Sequence, residues 1–262
     1  MKVSAVGFLN AAPLTWGLTA GRAPAGWEVS FDVPSRCADK LRSGEADLGL
    51  VPSAVFLKEP DLLLAAPLGV VAPREAASVL LIRRGPLEGL RKVTLDPASR
   101  TSQALVRHLL GRRLEREPAY LEAEAPEDLA EGEGALVIGD GALRLPAGLA
   151  SLPADDLAAL WRAETGLPFV FAVWAGRRGA CTRETARVLL RSLEEGLGAL
   201  REIAAEASRR LGLSEARVHR YLTENLAYRI GPEERASLRR FAEEALGCPG
   251  AERKMEEARG ER

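Results

Sequence analysis

Between residues 2 and 140, short apolar, β-branched runs alternate with segments of helical periodicity, and this alternation constrains the fold more than any other feature of the chain. A strand separated from the next by a helix cannot form a tight hairpin with it. Parallel sheet with right-handed crossovers is therefore expected. Lys2–Phe8 reads as the first strand, followed by Glu28–Val33, Ala46–Val51, Ser78–Arg83, Lys92–Asp96 and Ala135–Gly139. Between them, Pro13 starts a segment carrying Leu14, Trp16 and Leu18. Pro34-Ser35 opens a helix with Cys37, Ala38 and Leu41 on one face and Gly44 as its stop, and another helix runs through Leu105, Leu109 and Leu110.

The last third is different in kind. From Thr182 the positions Leu189, Leu193, Leu197, Leu200, Ala204, Ala207 and Leu211 recur at helical spacing, which predicts one long amphipathic helix. Ser214 caps a shorter helix with Val218, Tyr221 and Leu222 inward. Gly231-Pro232 opens another, with Leu238, Phe241 and Leu246 inward and Gly247 as its stop. The sign-alternating tail Glu252–Arg262 is expected to be a frayed, solvated end. Ser78–Arg83 and Phe169–Gly176 flank a self-contained β-α-β-α-β block, so residues 1–83 with 176–262 are expected to form one lobe and 84–175 the other.

Composition narrows the function classes. A 262-residue chain with a net charge of −1 and 47% hydrophobic residues has a globular composition, without the basic excess of a nucleic-acid-binding domain. No apolar run is long enough to span a membrane, and the N-terminal run soon meets Asn10 and Pro13, as a buried strand does rather than a signal peptide. Cys37, Cys181 and Cys248 are far apart, odd in number and distant from both histidines, so neither a disulfide framework nor a zinc site is expected. A reducing cytoplasm is the expected compartment.

In open parallel sheets, ligands bind beyond the carboxyl ends of the strands, where helix N-termini present free amides. The residues at those places here are Asn10 and Pro13, Pro52-Ser53, Ser99, Thr101 and Ser102, and Gly139-Asp140. Most are small, polar and neutral, which suits a site that grips carboxylates with hydroxyls and amides; the same Ser and Thr residues are also ordinary helix caps. No glycine-rich nucleotide fingerprint is present, and no nucleotide, metal or redox cofactor is expected. His108 falls mid-helix and His219 in a basic helical segment, so neither is placed as a base.

Phe8-Leu9-Asn10 with Pro13, the run Gly44–Ser53, Ser78-Val79-Leu80-Leu81, Asp96–Ser102, Leu136–Asp140, Trp161 with Thr165–Val173, and Tyr221–Arg229 together resemble the chorismate dehydratase family of menaquinone biosynthesis. The resemblance covers nearly the whole chain. It implies an α/β, two-lobed fold of the periplasmic-binding-protein type II kind, with parallel or mixed sheets and a helical C-terminal layer. It also implies the conversion of chorismate to 3-[(1-carboxyvinyl)oxy]benzoate and water, the first step of the futalosine route. Asn10 and Ser78 are then the expected catalytic residues, Ser78 on the resemblance alone. Ser53, Ser99, Thr101, Ser102, Gly139 and Asp140 are the expected substrate contacts, Arg100 is either a steering cation or solvent-facing, and a homodimer is allowed.

The residues and that reaction agree. The proton on the ring carbon bearing the enolpyruvyl ether is vinylogous to the ring carboxylate, and its removal followed by loss of the neighbouring hydroxide makes the ring aromatic. The enzyme then has mainly to orient a dianion and stabilise charge. Without a histidine base, the substrate's own enolpyruvyl carboxylate is the expected proton acceptor. Asp140 is the best protein alternative, and the Gly139 amide is a further candidate contact. Two other readings remain: the sister enzyme that forms a dihydroxynaphthoate from a cyclic futalosine derivative, which is expected to use a histidine base, and a non-catalytic receptor for a small carboxylate.

Overall fold

The computed structural model describes residues 1–19 and 22–249; the tail expected to be frayed lies outside this range. Among the described residues eleven strands are formed: β1 Lys2–Val6, β2 Glu28–Asp32, β3 Leu48–Pro52, β4 Leu63–Ala72, β5 Val79–Arg83, β6 Lys92–Leu95, β7 Ala119–Glu122, β8 Glu133–Ile138, β9 Ala154–Asp156, β10 Phe169–Gly176 and β11 Ala227–Arg229. The helices are α1 Ala12–Thr15, α2 Pro34–Ser43, α3 Ser53–Lys58, α4 Arg100–Arg113, α5 Gly139–Leu143, α6 Ala147–Ala150, α7 Leu157–Thr165, α8 Arg183–Gly198, α9 Leu200–Leu211, α10 Glu215–Arg220 and α11 Pro232–Glu244. Short 3-10 turns at Leu9–Ala11 and Trp16–Leu18 flank α1, and a π-helical turn, Tyr221–Asn225, follows α10.

The strands make two sheets and hence two lobes: a six-stranded sheet in the order β11-β4-β10-β3-β1-β2 and a five-stranded sheet in the order β7-β6-β8-β5-β9. The expected lobe boundaries need correction. β5 belongs to the second sheet and β10 to the first, so the chain crosses between β4 and β5 and returns between α7 and β10. Both sheets are mixed, the second of the two arrangements that the resemblance implies. β1 pairs in parallel with β2 and β3, and β6 with β7 and β8, but β10 runs antiparallel between β3 and β4, and β5 antiparallel between β8 and β9. A strand that enters its sheet from the other lobe is not bound by the crossover rule that fixes consecutive βαβ strands.

β4 had no counterpart among the expected strands because Pro67 and Gly69 interrupt its apolar run. Tertiary contacts use both residues. The Pro67 carbonyl accepts from Ile230 N, and a Cβ on Gly69 would lie 2.2 Å from the Ala172 carbonyl oxygen, so only glycine lets β10 come this close. The single long C-terminal helix is two helices, broken at Ala199. Gly196 and Gly198 weaken the last turn of α8, and Gly196 packs directly on the Pro13 backbone. The break turns α9 so that Ile203 and Ala207 flank the end of β1.

Helix signals read from the sequence are otherwise used as expected. Gly44 ends α2 at φ +78°, Ser99 and Ser214 cap α4 and α10, and Cys37, Ala38 and Leu41 are buried. Among the described residues, no helix is long and apolar enough to cross a membrane.

Candidate active site

The carboxyl ends of β1, β6 and β8 meet between the lobes, and a small cavity lies there. Asn10, Ser99, Ser102 and Gly139 contribute its polar lining, with Phe8, Val70, Ile138 and Phe171 among the apolar walls. Its free volume is about 30 Å³, room for a water molecule or two in this closed arrangement. Among the described residues, no carboxylate or cationic side chain lines it.

The sequence builds this lining locally. The Ser99 hydroxyl caps α4 by accepting from Ser102 N at 3.2 Å and lies 3.0 Å from the Ser102 hydroxyl, so two hydroxyls sit together over the positive end of a 14-residue helix. Pro34, the first residue of α2, also lines the cavity, so two helix N-termini converge on it. Asn10 lies in the turn after β1, and its carboxamide oxygen is buried without any hydrogen-bond partner. An unpaired buried acceptor is costly, so this oxygen is poised for a donor that a ligand would bring.

The remaining expected contacts have other tasks. Ser53 is fully buried and donates to the Val170 carbonyl at 2.6 Å. Thr101, also fully buried, accepts from Ala54 N at 3.1 Å; it ties α4 of one lobe to α3 of the other and does not line the cavity. The Gly139 amide is not free for a substrate, because it donates to the Ser78 carbonyl at 2.8 Å. Asp140 has both oxygens engaged, one by Leu9 N at 2.8 Å and the other by Arg210 at 2.8 Å, which makes it a bridge between the lobes and not a free base. Arg100 pairs with Asp39 at 2.7 Å. Ser78 lies just outside the lining, next to Val79, and its hydroxyl accepts from Tyr221 at 2.7 Å in a fully buried pair. Burial pushes the Tyr221 phenol far above its ordinary range, so it stays a donor to Ser78.

Two features of the region escaped the sequence reading. The Phe8-Leu9-Asn10 motif does not by itself mark Phe8 as a wall of the cavity; its place at the end of β1 is the available signal. Asp156 caps α7 through Ala158 N and Ala159 N and also accepts from Ala76 N and Ala77 N. It thereby fixes the crossing segment at Ala77, whose φ of 56° is left-handed without being glycine. Burial raises the Asp156 carboxyl, and these four amides oppose the rise. An Asp ahead of an apolar helix was its only local sign. Neither histidine reaches the cavity: His108 packs 5.9 Å from the Trp161 ring, and His219 is exposed on α10.

Comparison with known proteins bears on this geometry. A family model described as menaquinone biosynthesis matches residues 1–246. The chorismate dehydratase of Thermus thermophilus is 36% identical over 261 residues, covering 93% of this chain and 94% of that one. The chain belongs to the menaquinone-biosynthesis family. Among solved structures, an Archaeoglobus fulgidus protein superposes with a TM-score of 0.68 at 18% identity, covering 94% of this chain and 96% of that one. The periplasmic aliphatic sulphonate binding protein of Escherichia coli gives 0.62 at 17% identity, with 93% and 90% covered. At such identities the likeness is one of fold, and the fold of this family member is the two-lobed periplasmic-binding-protein architecture.

Proposed function

We propose that this chain is a chorismate dehydratase, a hydro-lyase that converts chorismate to 3-[(1-carboxyvinyl)oxy]benzoate and water in the cytoplasm for menaquinone biosynthesis by the futalosine route. The family relationship supports the reaction. The observation in the structure that carries it is the unpaired Asn10 oxygen in a cavity otherwise lined by hydroxyls, helix N-termini and apolar walls. Chorismate brings one hydroxyl, on the carbon next to the enolpyruvyl ether, and that hydroxyl is the group that must leave. Asn10 Oδ1 accepts from it in the bound substrate, and the Nδ2 end of the same amide donates to the departing oxygen. Ser99 and Ser102, at the α4 N-terminus, hold a carboxylate through hydroxyl and dipole. Ser78, oriented by Tyr221, keeps its own hydroxyl hydrogen for the substrate side of the crossing segment.

The proton leaves the ring carbon bearing the ether, the electron pair forms the new ring double bond, and the C–O bond to the neighbouring hydroxyl breaks. With no carboxylate side chain in the lining and Asp140 doubly engaged, the substrate's enolpyruvyl carboxylate takes the proton. Since about 30 Å³ cannot hold chorismate, the lobes part to admit it and close to exclude water. Three unpaired cysteines suit a reducing compartment. The test is to mix purified protein with chorismate and follow the aromatic product, alongside an analogue with a neutral group in place of the enolpyruvyl carboxylate. Chorismate should be consumed, and the analogue should bind but scarcely react at saturation. Normal turnover of the analogue at saturation, abolished in Asp140→Asn, would overturn the substrate-base mechanism; no product from chorismate would overturn the function.

A further inference from the structure

A second, outer pocket of about 270 Å³ adjoins the cavity and is lined by Thr15, Trp16, Phe31, Glu206 and Arg210, among others. Among the described residues, only Val6 and Phe8 line both spaces. Val6 is held in β1 by its register with Asp32, whereas Phe8 sits in the turn beyond the strand. The Phe8 ring is seated on Gly139. A Cβ at residue 139 would lie 2.8, 3.0 and 3.1 Å from three of its ring carbons, and Gly139 itself has a φ of +59°. The seat is fastened beside the ring as well, because Leu9 N donates to Asp140. Glycine at 139 is thus required twice, for its backbone conformation and for the aromatic wall laid against it.

A benzene-sized ring needs a cavity on the order of 150 Å³, several times the inner space. We propose that Phe8 is a specificity-determining residue of this site. Its ring leaves the Gly139 seat for the outer pocket to admit a six-membered ring, and the distance it can travel sets the largest substituent accepted beside the ligand's carboxylated ring. This rests on the reading of the site as one for a ring carboxylate. It assigns the outer pocket to the receding side chain, a role for which its volume suffices and its lining is partly apolar.

The probes are benzoate, 3-methoxybenzoate and 3-phenoxybenzoate, with dissociation constants measured calorimetrically for wild type, Phe8→Ala and Gly139→Ala, each checked for folding by circular dichroism melting. In wild type the phenoxy compound is expected to bind at least about tenfold more weakly than the methoxy compound, the scale of an overpacked site. In Phe8→Ala that ratio should fall toward one, and in Gly139→Ala, where the new methyl unseats the ring, it should fall part of the way. If Gly139→Ala does not fold, Phe8→Ala decides alone. An equal ratio in wild type and Phe8→Ala, a flat series in wild type, or no binding of any of the three overturns the proposal. Chorismate turnover on the same wild-type sample separates the two ideas. A steep series relaxed in Phe8→Ala without turnover removes the reaction and keeps Phe8 as the size filter, and turnover with an unrelaxed series does the reverse.

Discussion

Two of the contacts between the lobes are of opposite chemistry. Along α4, α7, β10 and α11 the contact is aromatic and dry: Trp161, Phe169 and Phe241 are at most 1% exposed and pack edge to face at 5.1 to 6.0 Å, with Trp161 Nε1 donating to Ser237 at 3.1 Å. Around the cavity, beside the Phe8 ring on Gly139, the contact depends on single polar links, Leu9 N and Arg210 to Asp140 and Arg100 to Asp39, with Arg210 half exposed. Burial of large aromatics is worth several kcal/mol, whereas exposed ion pairs contribute about 0–1 kcal/mol each. The first contact is therefore the stronger tie between the lobes and the second the weaker. A cleft that must admit a ligand needs that asymmetry.

The largest expected effect tests the dry contact. Trp161→Ala should cost about 3–5 kcal/mol of unfolding free energy in urea titrations, through the lost aromatic packing and the stranded Ser237 hydroxyl. A loss under about 1 kcal/mol would break the comparison. Next, Asn10→Ala should lower kcat roughly a hundredfold, as loss of one oriented polar group does, while the melting temperature stays within error. Near-normal turnover in a folded protein would remove Asn10 from the site.

Thr101→Val should cost about 1 kcal/mol of stability by orphaning Ala54 N, yet leave KM within about twofold, because the hydroxyl serves the lobe contact. A large rise in KM would return Thr101 to the substrate. The smallest effect is in pH. Burial lowers the His108 pKa from its ordinary 6.5, with Glu164 and Glu244 opposing, so below that value the unfolded chain binds the proton more readily than the folded one. Its contribution to stability is present above pH 6.5 and is lost as pH falls through the lowered folded value. Denaturation on either side of that window should show the loss, and His108→Leu should flatten it. The rate of catalysis should show no matching limb, because His108 does not line the cavity.

Local patterns decided much of this molecule. β1, β2, α2 and α4 follow from apolar runs, a proline at one end and a glycine or serine cap, interactions between residues a few positions apart. For the same reason the sequence could point to the turn after β1 and the start of α4, and Asn10, Ser99 and Ser102 do meet there. What neighbours along the chain do not control is who takes each hydrogen bond. Thr101, Gly139 and Asp140 looked like ligand contacts, but Ala54, Ser78, Leu9 and Arg210 reach them from 47, 61, 131 and 70 positions away and occupy them. The antiparallel return of β10, the packing of Gly196 on Pro13 ahead of the break at Ala199 and the seating of Phe8 on Gly139 were likewise settled only when distant segments packed. Side-chain type fixes what a group can bond, and the tertiary structure decides whether that capacity is already spent.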